Sequence, residues 1–342
     1  MIPAAPAPLH PAPSHAAPPR WQQLWRDAVR DPRELLAMLG LDAELRPGLS
    51  DEAAAQFPLR VPHGFVARMR HGDANDPLLR QVLPLDAEMQ PMPGFTLDAV
   101  GDGAAKAGHG VIRKYRGRAL LIATGSCAIH CRYCFRRHFP YAEETAAAAG
   151  WREAVAAIRA GASMDEVILC GGGAWPLAAP KLAELTDALA TVPHLRRLRI
   201  HTRLPVVLPE RVDDALIDWL AALPWPVTIV LHANHANEFD AHVDAALARL
   251  RATGAMLLNQ AVLLRGVNDS VDALAALSER GHAAGVLPYY LHQLDRVQGA
   301  AHFEVPDDTA LRLHRELAAR VSGYLVPKLV REVAGDPGKR PL

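Results

Sequence analysis

The chain has 342 residues, half of them hydrophobic, enough for one large folded unit or two small ones with a sizeable core. Its 37 Lys and Arg residues balance 37 Asp and Glu, so net charge gives no general attraction to nucleic acid or to an anionic membrane. No apolar run approaches the roughly 20 residues of a membrane-spanning helix, and the first residues lack the basic-then-apolar order of a secretory signal.

Residues 1–20 are mostly Ala, Pro and His. Proline at that density continues neither a helix nor a sheet ladder, so a disordered tail is predicted, with His10 and His15 solvated. Residues 21–110 read as a helical region with connecting loops. Apolar residues fall at helical spacing over 21–39, interrupted at Asp31-Pro32, and shorter helices are predicted at 65–69 and 77–82. No catalytic constellation is legible there, and the region is expected to pack beside the main domain.

The rhythm changes over 111–305. Strand-length apolar runs at 119–123, 166–170, 197–201, 227–232, 256–262 and 287–292 alternate with helical stretches at 146–160, 180–190, 209–222, 238–253 and 270–284. Such alternation implies parallel strands joined by helical crossovers. Six units are too few for a closed eight-fold barrel. The predicted fold class is therefore α/β, a partial (β/α)6 TIM-like barrel with its site at the carboxyl ends of the strands. Residues 306–342 are expected to add a C-terminal helix and a lysine-bearing segment.

Directly after the first barrel strand stands Cys-Ala-Ile-His-Cys-Arg-Tyr-Cys, with Cys127, Cys131 and Cys134. Three thiolates so close can hold three irons of a cubane cluster and leave the fourth open for chemistry. Structural zinc is an alternative, with Cys170, His130 or His138 completing a closed site. Ordinary thiols are another. An oxygen-sensitive cluster and few cysteines point to a reducing cytoplasm.

Other groups lie in the same region. Arg136, two residues past Cys134, suits a carboxylate bound by two parallel hydrogen bonds, or else is a surface cation balancing the cluster. Gly171 and Gly172 follow Cys170 at the end of the second barrel strand, where glycine lets backbone approach a ligand; Cys170 itself reads as a buried small side chain. Lys114, Tyr115 and Arg118 precede the first barrel strand and suit a phosphate, with Lys114 and Arg118 on one face if helical. Asp295, after the sixth strand, and Glu332 could together hold one ammonium group. Lys339, in a Gly- and Pro-rich turn, could present its amine to an aldehyde cofactor.

Taken together, these residues resemble the lysine 2,3-aminomutases, radical S-adenosylmethionine enzymes, and within them the bacterial branch that makes β-lysine for elongation factor P. The resemblance covers about 21–342 and is strongest over 131–143 (Cys-Arg-Tyr-Cys-Phe-Arg-Arg-His-Phe-Pro-Tyr-Ala-Glu), 232–238, 258–269, 289–303 and 323–332 (Gly-Tyr-Leu-Val-Pro-Lys-Leu-Val-Arg-Glu). It implies a [4Fe-4S] cluster on Cys127, Cys131 and Cys134, with S-adenosylmethionine on the open iron and near Gly171, Gly172, His232 and Gln260. It implies pyridoxal 5'-phosphate on Lys339, surrounded by Lys114, Tyr115 and Arg118, with Lys114 where the family pattern has arginine. Arg136 would take the carboxylate of lysine, and Asp295 and Glu332 its distal amine, the glutamate standing where the pattern has aspartate. The implied reaction converts (S)-α-lysine to (R)-β-lysine by a radical shift of nitrogen, served by an external electron donor. A separate ligase would pass the product to elongation factor P. A homo-oligomer is left open.

Departures bear on this. The family's Gly-Gly-Asp-Pro-Leu reads here as Gly-Gly-Gly-Ala-Trp, which removes a carboxylate at Gly173. Weaker S-adenosylmethionine binding is expected, and an impaired enzyme stays open. A glutamate aminomutase is the other rival, against which two distal acids argue. The chain ends without the cysteine-bearing extension of the longer aminomutases, so zinc is not expected.

Overall fold

The computed structural model describes residues 20–42, 48–141, 151–171 and 175–342. The predicted tail up to residue 19, the first residues of the helix expected at 146–160, and Gly172 and Gly173 lie outside them.

Ten strands form one sheet in chain order: β1 (Lys106–Gly108), β2 (Val111–Ile112), β3 (Arg118–Thr124), β4 (Glu166–Gly171), β5 (Arg197–Thr202), β6 (Val227–Leu231), β7 (Met256–Val262), β8 (Leu287–His292), β9 (Lys328–Arg331) and β10 (Arg340–Pro341). Strands β3 to β9 pair parallel. Antiparallel β1, β2 and β10 extend the two edges. The six-fold alternation is present, and the sheet also extends beyond it at both ends. The C-terminal segment contributes a seventh parallel strand through the helix Asp307–Arg320.

Helix starts follow local chemistry. Asp213, Asp240 and Ser270 each accept a hydrogen bond from a first-turn amide, capping Asp214–Ala221, Ala241–Ala252 and Val271–Ala283. Each such cap is worth about 1 kcal/mol. The helix expected over 209–222 is broken: a 3-10 turn Pro209–Arg211 precedes the Asp213 cap.

Strands β5 and β7 alternate strictly. In β5, Leu198, Ile200 and Thr202 are buried against the helices; in β7, Leu257, Asn259 and Ala261 are. The opposite faces carry Arg199 and His201 of β5, Gln260 and Val262 of β7, and Tyr290 and His292 of β8, and these line one cavity together with Arg118 of β3. In a flat sheet, β3 and β8 would stand about 24 Å apart at the usual strand spacing of ~4.8 Å. Shared lining of one chamber requires the sheet to curl around it, as a partial barrel does.

Two sequence expectations need correction. Residues 21–110 are not wholly helical, since β1 lies there. The region does pack against the main domain, as expected. Trp21, Leu35, Leu36, Phe65, Leu78 and Leu79 belong to the same buried apolar cluster as the barrel helices. Its backbone also shapes the cysteine loop: His130 N–H donates to Arg60 O (3.0 Å) and Arg132 N–H to Gln81 O (2.9 Å). Lys114 and Arg118 are not on a helix either; Lys114 is in the loop that turns into β3.

Candidate active site

The curled sheet encloses a cavity of about 570 Å³ at the carboxyl ends of the strands, a volume suited to small ligands. Lys114, Tyr115, Arg118, Cys127, His130, Cys131, Cys134, Arg136, Cys170, His232, Gln260, Asp295, Glu332 and Lys339 all line it, and His138 and Gly171 do not. Gly171 is the last residue of β4, opposite Thr124.

One end is the cysteine loop. Cys127, Cys131 and Cys134 all face the cavity, and Cys134 N–H closes a turn on Cys131 O at 3.0 Å. Burial raises the Cys127 thiol, and burial with the neighbouring Cys131 pushes Cys134 up to about 11. Thiols so desolvated become good ligands only when a metal cation replaces their protons. The donors that a closed zinc site would need are engaged elsewhere. His130 Nδ1 contacts Pro58 O at 2.6 Å, His138 Nε2 contacts Gln298 O at 3.1 Å, and Cys170 Sγ accepts from Arg136 NH1 at 3.1 Å. Cys170 is thus a cavity residue and not the buried filler expected from sequence.

Behind the loop lies a polar network that sequence reading missed. Arg203, just past β5, donates to Cys131 Sγ (2.7 Å), to the Tyr133 hydroxyl (2.7 Å) and to Glu238 Oε2 (2.9 Å). Glu238 is fully buried and also takes the backbone N–H of Asn234 at 2.9 Å. On the other side, buried Glu88 binds Arg132 Nε (2.8 Å) and Arg137 NH2 (2.8 Å). The residues next to the cysteines are therefore fixed by buried ion pairs, two of which reach back to the N-terminal region.

The middle of the cavity carries histidines. His232 Nε2 lies 3.0 Å from Gln260 Nε2. Burial, with the nearby Arg203 cation, depresses His232 to about 3. Burial likewise holds His201 and His292 well below their ordinary value, so all three are neutral at neutral pH. The Nε2 atoms of His201 and His292 and Oε1 of Gln260 are buried and have no hydrogen-bond partner among the described residues. Orphaned buried polar atoms of this kind mark a surface built to meet a ligand.

The far end is charged. Lys339 Nζ donates to Glu332 Oε2 at 2.8 Å, and the Tyr115 hydroxyl donates to Glu332 Oε1 at 2.6 Å. Lys114 Nζ is 3.5 Å from that oxygen and 2.7 Å from Asp102 Oδ1. Burial would raise Glu332, but Lys339, Tyr115 and Lys114 hold it below the ordinary range. Asp295 differs. Burial, helped by Glu332 and opposed by Lys339, pushes its carboxyl up to about 7, and its Oδ1 has no partner among the described residues. Arg136 is buried, not a surface cation, and is paired with Asp102. Arg118 lies 4.4 Å from the Tyr115 ring.

No protein-family model matches the chain. Among curated proteins it is 48% identical over 322 residues to the L-lysine 2,3-aminomutase of Escherichia coli K12, covering 94% of each chain. It is 43% identical over 321 residues to the protein of that name from Haemophilus influenzae, covering 93% of this chain and 94% of that one. With the Clostridium subterminale L-lysine 2,3-aminomutase it shares 30% identity over 324 residues, 94% of this chain and 77% of the other. A radical SAM methyltransferase from Sphaerobacter thermophilus resembles it loosely in structure, with TM-score 0.41 and 19% identity over 65% of this chain and 68% of that one.

Proposed function

Because the chain belongs to the lysine 2,3-aminomutase family of radical S-adenosylmethionine isomerases, we propose that it moves the α-amino group of L-lysine to the β-carbon with the help of pyridoxal phosphate. The product is (R)-β-lysine, destined for elongation factor P through a separate ligase, in a reducing cytoplasm. One observation carries this reading: a single cavity joins a three-thiol loop to an amine paired with Glu332, with a second carboxylate, Asp295, lining the same chamber.

The donor sets suit the groups that the family implies. Three soft thiols on one loop match a [4Fe-4S] cluster with an open iron. Among the described residues the lining carries more cations (Lys114, Arg118, Arg136, Arg137, Arg199, Arg203 and Lys339) than acids (Asp102, Asp295 and Glu332), a positive surplus that suits a phosphate and a carboxylate. When bound, the cluster with S-adenosylmethionine supplies one-electron bond cleavage, and pyridoxal phosphate supplies an electron-delocalising carrier for the migrating nitrogen.

The chain does the rest. Lys339 holds the cofactor aldehyde, while Lys114, Tyr115 and Arg118 receive its phosphate. His232 and Gln260 offer neutral hydrogen-bonding groups to S-adenosylmethionine. Arg136 fixes the substrate carboxylate, and Asp295 with Glu332 fixes the distal ammonium. Holding both ends of lysine sets the α- and β-carbons in one place, which is the chief service a protein renders to a radical reaction. The surrounding walls exclude water and oxidants.

The deciding experiment is an anaerobic lysine assay of protein reconstituted with iron, sulfide and S-adenosylmethionine, with and without pyridoxal phosphate, and fed by a one-electron donor. β-Lysine is expected only with pyridoxal phosphate present, and glutamate should not react. A well-formed cluster with neither product nor methionine release would overturn the proposal. Adding elongation factor P and its ligase should then give a β-lysyl mass increment.

A further inference from the structure

Asp102 has no role in the reading above, yet it is among the most buried charges in the chain, 1% exposed. It comes from the segment that enters the sheet at β1. Its Oδ2 binds Arg136 Nε at 2.6 Å, and its Oδ1 lies 2.7 Å from Lys114 Nζ. The turn that carries it is itself pinned. Asp98 accepts the backbone N–H of Asp102 through Oδ1 and that of Gly103 through Oδ2, both at 2.9 Å. Lys114 Nζ is further tied to Val100 O at 2.7 Å.

The edge of Arg136 that Asp102 uses matters. A guanidinium offers two forks, one through Nε and one across its two terminal nitrogens. Asp102 takes the Nε side. Among the described residues the terminal fork has one hydrogen-bond contact, from NH1 to Cys170 Sγ, and both residues line the cavity. A carboxylate can then be received end-on by two parallel hydrogen bonds. Without Asp102, Arg136 and Lys114 would be two buried like charges with no shared counter-ion, and Arg136 would be free to turn.

We propose that Asp102 is a positioning residue that aims the terminal fork of Arg136 at the substrate carboxylate and so makes the enzyme select amino acids over plain diamines. This rests on the reading of Arg136 as the carboxylate holder. The test is equilibrium binding by calorimetry to the pyridoxal-phosphate-loaded enzyme without S-adenosylmethionine, so that nothing turns over. The probes are lysine and cadaverine, which is lysine without its carboxylate. In Asp102→Asn, lysine should bind roughly 10–100-fold more weakly, the scale of a lost charge-assisted bond, while cadaverine is unchanged. Asp102→Glu, which keeps the charge but shifts it by one methylene, should show a smaller loss with the same selectivity. Arg136→Met is the control for the underlying reading. If it does not discriminate between the probes, the reading of Arg136 fails. If it discriminates and Asp102→Asn does not, the proposal for Asp102 fails alone. Loss of both probes in both Asp102 variants would make Asp102 a purely structural residue and would equally overturn the proposal.

Discussion

The ammonium of Lys339 lies 2.8 Å from Oε2 of Glu332, the residue that faces it across a short hairpin. The register explains the pairing: Arg331 of β9 opposes Arg340 of β10, so the next pair outward is 332 with 339. Gly335, at φ 86°, lets the connecting turn close. Before any cofactor is bound, the chain's own amine thus occupies the acid that the substrate ammonium would use. Lysine should therefore bind weakly to the cofactor-free protein. Lys339→Ala should bind it about tenfold better, the scale of one charge-assisted bond. Calorimetry on cofactor-free protein checks this, and borohydride trapping should find no covalent pyridoxal phosphate in the same variant.

Asp295 predicts a pH dependence. Its carboxyl is raised to about 7 in the ligand-free chain. An arriving ammonium favours the ionised form, so binding releases a proton. Affinity for lysine should rise with pH up to about 7 and level off above it. Asp295→Asn should weaken binding and flatten this dependence. Dissociation constants measured between pH 6 and pH 8.5 decide it.

The cysteines should separate cleanly. Cys127→Ala, Cys131→Ala and Cys134→Ala should each lose bound iron and sulfide and the spectroscopic signal of the cluster. Cys170→Ala should retain all three, because its sulfur accepts from Arg136 and stands outside the three-thiol loop. Iron and sulfide analysis with electron paramagnetic resonance on anaerobic protein provides the measurement.

Glu88 tests how the loop is held. It is the shared counter-ion of Arg132 and Arg137, and all three side chains are buried. Glu88→Gln leaves two guanidiniums without their charge partner, which should cost about 3–5 kcal/mol. Differential scanning calorimetry should show a clearly lower Tm. Cluster loading should fall with it, although Glu88 touches no cysteine.

Much of this was legible in the sequence because chemistry and chain order coincide. The cysteine loop follows β3 directly, and Asp295 follows β8, so a strand–helix alternation was enough to place both at one end of a barrel. Lys339 and Glu332 were legible as residue types but not as partners, since only the β9–β10 register brings them together. Asp102, Glu88 and Gln81 were not legible. They lie in short helices and turns with no periodic signal, and they meet the cysteine loop across dozens of residues of sequence. Arg199 and His201 carried a signal that was overlooked: polar residues at every second position of the apolar strand Arg-Leu-Arg-Ile-His-Thr.

The alternation inside the barrel strands carries a cost for anyone engineering the protein. Leucine or methionine in place of His201, Gln260 or Tyr290 would give the inner wall apolar surface to close upon, and a selection for heat resistance would reward such changes. Variants improved that way would be sturdier and inert, their chamber sealed. The hollow persists with polar atoms on its inner wall that no described neighbour satisfies.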